Sequence, residues 1–315
     1  MLNYIIRRLL LVPLLILGIT IVVFTMIQLA PGDPVTAQYG LKLSEADPVK
    51  IERLKEELGL NDPIMVQYFR YLGNLLQGDL GTSLTSRMPV VDELKSRFPA
   101  TLELTVAAML IVIVFSIPMG IVAALNRGSP LDNGLMTFSL IGVSMPSFWL
   151  GIMLILLFSL TLGWLPTSGR GTGPLFGRLE YLVLPAVTLS FAIMGLNSRI
   201  MRSSMLEVLD QDYIRTAYAK GQKKHLVITR HAFRNALIPI LTLFGVQFAS
   251  LLGGAVIVET IFAWPGLGRL AVNATMRRDY PLIMGTVLLL SIFYLVSSLL
   301  VDILYTVVDP RIRFN

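Results

Sequence analysis

The sequence predicts an all-α, polytopic membrane protein with six transmembrane helices and both termini in the cytoplasm. Three observations lead there. The 315 residues are 54% apolar and only 15% charged, whereas a soluble domain carries roughly a quarter charged residues. Apolar runs long enough to cross a bilayer recur along the chain. Lys and Arg gather in alternate connections between those runs, as they do in the inward loops of membrane proteins. The net charge of +6 therefore reads as inner-loop charge and not as a nucleic-acid surface. The chain has no cysteine, which removes disulfides and thiolate metal sites.

The expected spans are 9–30, 101–125, 135–162, 181–200, 237–262 and 282–307. The first follows Arg7 and Arg8 and, at about 1.5 Å per residue, reaches across the roughly 30 Å hydrocarbon core. It exceeds the ~7–15-residue core of a signal peptide and no A-x-A site follows, so we expect it to be retained as a span. Pro31-Gly32-Asp33-Pro34 ends it. Pro118, Pro146 and Pro185 interrupt three later spans. Small residues (Gly142, Ser144, Ser147, Gly151, then Gly245, Ser250, Gly253 and Gly254) suit close helix packing or a pathway lining.

Residues 31–99 form a charge-balanced polar loop subdomain on the outer side. Two amphipathic helices are expected in it. One spans about 48–58 and stops at Gly59. The other follows Asn61-Asp62-Pro63, with Met65, Tyr68, Phe69, Leu72, Leu75 and Leu76 on one face. The loop reads as a cap on the membrane domain or as a docking surface for a soluble partner.

Orientation rests on the cations. With the amino terminus inside, inner segments hold Arg7, Arg8, Arg127, Arg199, Arg202, Arg215, Lys220, Lys223, Lys224, Arg230, Arg234, Arg311 and Arg313. Short outer loops hold Arg170, Arg178, Arg269, Arg277 and Arg278. The 31–99 loop exceeds the ~60 residues over which the rule has force.

The sequence supplies no energy-coupling chemistry of its own. It has no Gly-Lys dipeptide and hence no phosphate-cradling loop. His225 and His231 miss the i, i+4 spacing of helical metal pairs and read as solvated loop residues. Glu103 and Glu259 fall near the outer ends of their spans, where they reach interfacial water, and Asp302 near an inner end. Structural pairing and a proton or substrate role both stay open for these acids. Nothing resembles a nucleophile–base pair, so no enzyme activity is expected.

What stands out is a cationic island, residues 203–236. Asp212 suits an N-cap, residues 213–220 a two-turn helix, and Gly221 its C′ stop. Residues 222–235 read as a second, basic helix, and Pro239 opens the next span. The first helix carries too little apolar area to lie on lipid. Its small residues Thr216, Ala217 and Ala219, beside the bulkier Tyr213 and Ile214, suit the groove of another protein.

This segment resembles the EAA loop of ABC importer permeases, in the form carried by the dipeptide/oligopeptide/nickel permease family. Y-I-R-T-A-Y-A-K-G (213–221) and R-H-A-F-R-N-A-L-I-P (230–239) match that form. Arg215-Thr216-Ala217 stands where the general loop has E-A-A, and Pro239 lies further from Gly221 than in that loop. Further motifs run in order through the chain: A-P-G-D-P, L-G-L-N-D-P-I, Q-G-D-L-G-T-S, P-A-T-L-E-L, G-V-S-M-P-S-F-W-L, W-L-P-T, V-E-T-I-F-A-W-P-G-L-G-R-L, R-R-D-Y-P and D-P-R-I-R-F.

The resemblance implies a type I ABC importer permease fold and the first permease of a heterodimeric pair, in a bacterial or archaeal inner membrane. It implies two ATPase subunits, which would hold ATP and Mg, with no cofactor on this chain. It also implies an extracytoplasmic binding protein that delivers di- or oligopeptides; nickel chelates, glutathione and oligosaccharides stay open as cargo. Asp212, Tyr213, Ile214, Arg215, Thr216, Ala217, Ala219, Lys220 and Gly221 would couple to the ATPase. Ser144, Pro146, Ser147, Gln247, Ser250 and Glu259 are candidate pathway residues. An ion-coupled secondary transporter is the reading from outside the class.

Overall fold

In a computed structural model of the chain, residues 2–29, 52–53, 56, 59–173 and 175–308 are described. Their regular structure is helical, with one isolated bridge between Thr82 and Pro89. The order is α1 (Leu2–Leu29), α2 (Ile64–Leu76), α3 (Val90–Leu125), α4 (Pro130–Ser144), α5 (Ser147–Thr161), α6 (Leu175–Leu209), α7 (Asp212–Ala219), α8 (Lys224–Ala236), α9 (Ile238–Ile261), α10 (Leu267–Met276) and α11 (Tyr280–Val308). Among the described residues four helices are long and apolar enough to cross a membrane, and up to six spans result if each of two bent pairs is one span.

Several elements depart from the sequence reading. The helix expected at about 48–58 and the 31–34 break lie almost wholly outside the described residues. α3 starts at Val90, well before residue 101, because Asp92 and Glu93 in its first turn complement the helix dipole. α6 likewise runs from Leu175 through to Leu209. Pro118 and Pro185 sit inside continuous helices, whereas Pro146 breaks the chain and turns α4 from α5 by 107°. Met145 and Pro146 are both extended (ψ 123° and 132°), as expected where a proline excludes helical geometry from the residue before it. α10 is a helix the sequence reading did not contain.

The chain packs as two units, one of Leu2–Pro99 with Pro265–Leu295 and one of Ala100–Trp264 continued from Val296. In the first, Val90, Leu94, Leu267, Leu270, Ala274 and Leu282 form a small buried core. Gly285 lies against Val90, and the Phe98 and Phe293 rings meet edge to face at 4.6 Å. Asp279 ties the 83–85 turn down. Its carboxylate accepts from the Ser83 hydroxyl (2.5 Å) and from the Leu84 and Thr85 amides. α2 runs beside α1, with Tyr68 edge-on to Phe24 and the Gln28 amide donating to Gln67 at 2.9 Å. Burial, and secondarily Tyr68, push the Tyr71 phenol up to about 12.

In the second unit α6 is the central helix. α4 crosses it where Gly195 leaves no room for a Cβ beside the Ser139 carbonyl, and Gly142 approaches the Phe191 carbonyl. α3 meets it at Gly120, against Met201 and the Ser198 carbonyl. Gly151 fits closely between Phe262 and Thr188, so Gly142 and Gly151 serve packing. Gly253, by contrast, is exposed with open space around it.

Candidate functional site

α7 ends in a double-bonded glycine stop. The Gln222 amide donates to the Ala217 carbonyl and the Gly221 amide to that of Tyr218. Gly221 has φ +76°, the left-handed geometry this stop requires. The amino end differs from expectation. Gln211 is the cap residue and Asp212 is already helical; no side chain caps the helix there. Asp212 instead reaches Arg215 at 3.4 Å, both well exposed.

The docking of α7 also corrects the sequence reading. Ile214 and Ala217 are buried in the core of their own unit, with Met205, Val227, Ala232 and Ala236. They are therefore not free for a partner's groove. Tyr213, Arg215, Thr216, Tyr218, Ala219 and Lys220 are exposed. Asn235 donates to the Tyr213 hydroxyl at 3.1 Å, fixing that ring on α8.

The basic helix α8 carries a π-turn, Val227–Ala232. Its i→i+5 winding brings Val227 and Ala232, five apart, to one buried face. The Thr229 hydroxyl donates to the His225 carbonyl (2.8 Å), a local bond that competes with regular helix pairing. Lys223, Lys224, Arg230 and Arg234 stay exposed. His225 is solvated as expected, but His231 is half-buried and bonded to Gln222 at 3.0 Å. Among the described residues no group of three or more His, Cys, Asp or Glu residues is placed to hold a metal. Pro239 takes an opening position of α9, where a proline's missing amide costs little.

The candidate pathway residues do not form one set. Ser144 and Pro146 are exposed and Ser147 half-buried at the α4–α5 break, and Ser250 is exposed on α9. Gln247 is buried and exchanges two amide bonds with Asn197 of α6, at 2.7 and 3.0 Å. Glu259 is fully buried rather than reaching interfacial water, and accepts from the Thr101 hydroxyl at 2.6 Å. Beside it Trp264 is also fully buried and donates to the Ala100 carbonyl, just after Ala263 at φ +49°. Glu103 pairs with Arg170 and lies near Arg178, residues that the sequence reading assigned only to a loop. The side chain of Asp302 lies outside the described residues.

One buried ion pair was not anticipated. Asp132, buried at the start of α4, receives two bonds from the Arg202 guanidinium of α6, at 2.6 and 2.7 Å. It also accepts from the Gly128 amide, while Ser129 caps α4 at the Asp132 amide. An acid in the first turn after Ser129-Pro130 and an Arg two residues beyond the expected end of span 181–200 were the available signals.

A long apolar bundle with one short polar helix on a basic support is a membrane component, and the comparisons say of which class. Residues 116–314 match the family described as binding-protein-dependent transport system inner membrane component, and residues 1–105 match its amino-terminal counterpart. The chain belongs to that family of ABC importer permeases. It is 45% identical to the oligopeptide transport system permease protein AppB of Bacillus subtilis, over 99% of each chain. Identity to the di/tripeptide transport system permease protein DppB of Pseudomonas aeruginosa is 45%, again over 99% of each. The glutathione transport system permease protein GsiC of Escherichia coli is 43% identical over the full length of both. The fold resembles a solved chain of the MetNI methionine ABC transporter with TM-score 0.58 at 19% identity, over 69% of this chain and 96% of that one.

Proposed function

We propose that the chain is the first of two permeases in a heterodimeric, ATP-driven importer for di- and oligopeptides. The relatives' peptide and glutathione cargoes support this, since glutathione is itself a short peptide. The bent pairs count as single spans, giving six, with both termini and α7 on the cytoplasmic face of a bacterial or archaeal membrane. Two ATPase subunits bind ATP and Mg, and an extracytoplasmic protein delivers the cargo.

The observation that carries the mechanism is the split face of α7. Ile214 and Ala217 bind it to its own chain, leaving Tyr213, Thr216, Ala219 and the flanking Arg215 and Lys220 to meet an ATPase groove. Closure of the ATPase dimer displaces α7. Its buried residues pass the motion to α8 and the end of α6, with which they share a core. The Gly221 stop keeps the helix short and rigid. Glu259, Gln247 and Asn197 hold the second unit together, and Ser144, Pro146, Ser147 and Ser250 line the path.

The reading is tested by co-purification and transport. The chain, expressed with a second permease, the ATPases and the binding protein of its importer, is expected to co-purify with the ATPases and to give vanadate-sensitive, binding-protein-dependent peptide uptake. Uptake by the chain alone under an ion gradient would instead establish a secondary transporter.

A further inference from the structure

Ile64–Leu76 carries an apolar stripe that none of the described residues of its own unit covers. Met65, Phe69, Leu72 and Leu76 lie at i, i+4, i+7 and i+11, one side of a helix. Met65 is 65% exposed, Phe69 62% and Leu76 83%. The same helix has a single charge, Arg70, which is directed to Asp62 outside the helix. Such a stripe is unfavourable in water.

The contacts of α2 with α1 say what surrounds it. Gln67 meets Gln28, Tyr68 and Tyr71 meet Phe24, and the Tyr68 hydroxyl reaches Thr20 at 3.1 Å. The described part of the apolar span of α1 runs to Leu29, just before Pro31-Gly32-Asp33-Pro34 in the sequence. At 1.5 Å rise Phe24 lies roughly 7 Å and Thr20 roughly 14 Å inside that end. α2 is therefore held against the portion of α1 that a bilayer leaflet covers. On α1 itself Val22, Met26 and Leu29 are exposed on the side away from the Phe24 contact, an apolar face of the kind a bilayer covers. A soluble partner does not reach a face at that depth, whereas acyl chains do.

The geometry points to α2 as an interfacial lipid-binding helix, lying at the headgroup–acyl boundary with Met65, Phe69, Leu72 and Leu76 in the acyl region. Its polar side, with Gln67, Arg70 and Asn74, faces headgroups and the rest of its unit. The conclusion rests on the membrane placement of the family and not on which membrane face is outer, on the cargo or on the coupling role of α7.

The cysteine-free chain makes a direct test clean. Phe69→Cys and, separately, Met65→Cys are labelled with an environment-sensitive fluorophore in the assembled importer in nanodiscs. Asn74→Cys serves as the control. Both stripe labels are expected to emit blue-shifted light, to lose most of their emission to brominated acyl chains and to resist aqueous iodide. The control is expected to show the reverse. Iodide quenching of both stripe labels without bromolipid quenching would place the face in water. Shielding of both from either quencher would place it under a protein subunit. Either result overturns the proposal, while failure of peptide uptake in the same sample bears only on the function proposed above.

Discussion

α7 and α2 are both short helices lying beside the long apolar ones, and they solve the problem of an extra helix in opposite ways. α7 buries Ile214 and Ala217 and shows a polar, aromatic outer face. α2 fully buries no residue and shows an apolar one. Anchoring differs accordingly. α7 is held by core packing and a backbone stop, so its position is coupled to α8 and α6. α2 touches α1 through rings and amides, so its position depends on what lies outside the protein. A helix fixed to its own core can transmit displacement; one fixed by its surroundings senses them.

The most severe break is Ala217→Arg. A guanidinium forced into that buried site should destabilise the chain by about 3 kcal/mol or more. A large drop in melting temperature of the detergent-purified protein checks it, and native-like melting would mean α7 is not core-anchored. Phe69→Ser should cost roughly 2 kcal/mol of bilayer contact. Amide exchange of α2 in nanodiscs is expected to speed up while that of α7 stays unchanged. Gly221→Ala meets open space but must hold φ +76°, at a cost of about 1–2 kcal/mol. It should lower the melting temperature slightly and weaken uptake without abolishing it. Tyr213→Phe removes one exposed hydrogen bond to Asn235 and is expected to cost no more than about 1 kcal/mol.

Much of this was legible in the sequence because it is local. Asn61-Asp62-Pro63 and the apolar face from Met65 to Leu76 placed a helix where α2 begins after Pro63, and Gly221 marked the end of α7. Pro146 looked like Pro118 and Pro185, yet only it breaks a helix, since neighbours decide whether a freed carbonyl is satisfied. Ala217 and Thr216 were indistinguishable as small residues. Ala217 faces inward onto a core that includes Val227 and Ala232 of the π-turn, and no local propensity signals that turn. Asp132 and Arg202 are seventy residues apart, and Glu259 and Thr101 more than twice as far. Such pairs are set by how helices cross and leave no periodic trace. Glu259 was noticed as costly at membrane depth but its Thr101 partner was invisible, and Asp132 was not noticed at all.

The central claim is that the exposed face of α7 is where ATP hydrolysis acts on this chain. Thr216→Arg tests it most directly, because Thr216 is exposed and only its hydroxyl is tied down, to the Asp212 carbonyl. In the reconstituted importer the variant should insert and melt as the native chain does, within about 0.5 kcal/mol. It should nevertheless lose peptide uptake and binding-protein stimulation of ATPase activity together. Full uptake with normal stimulation would contradict the account.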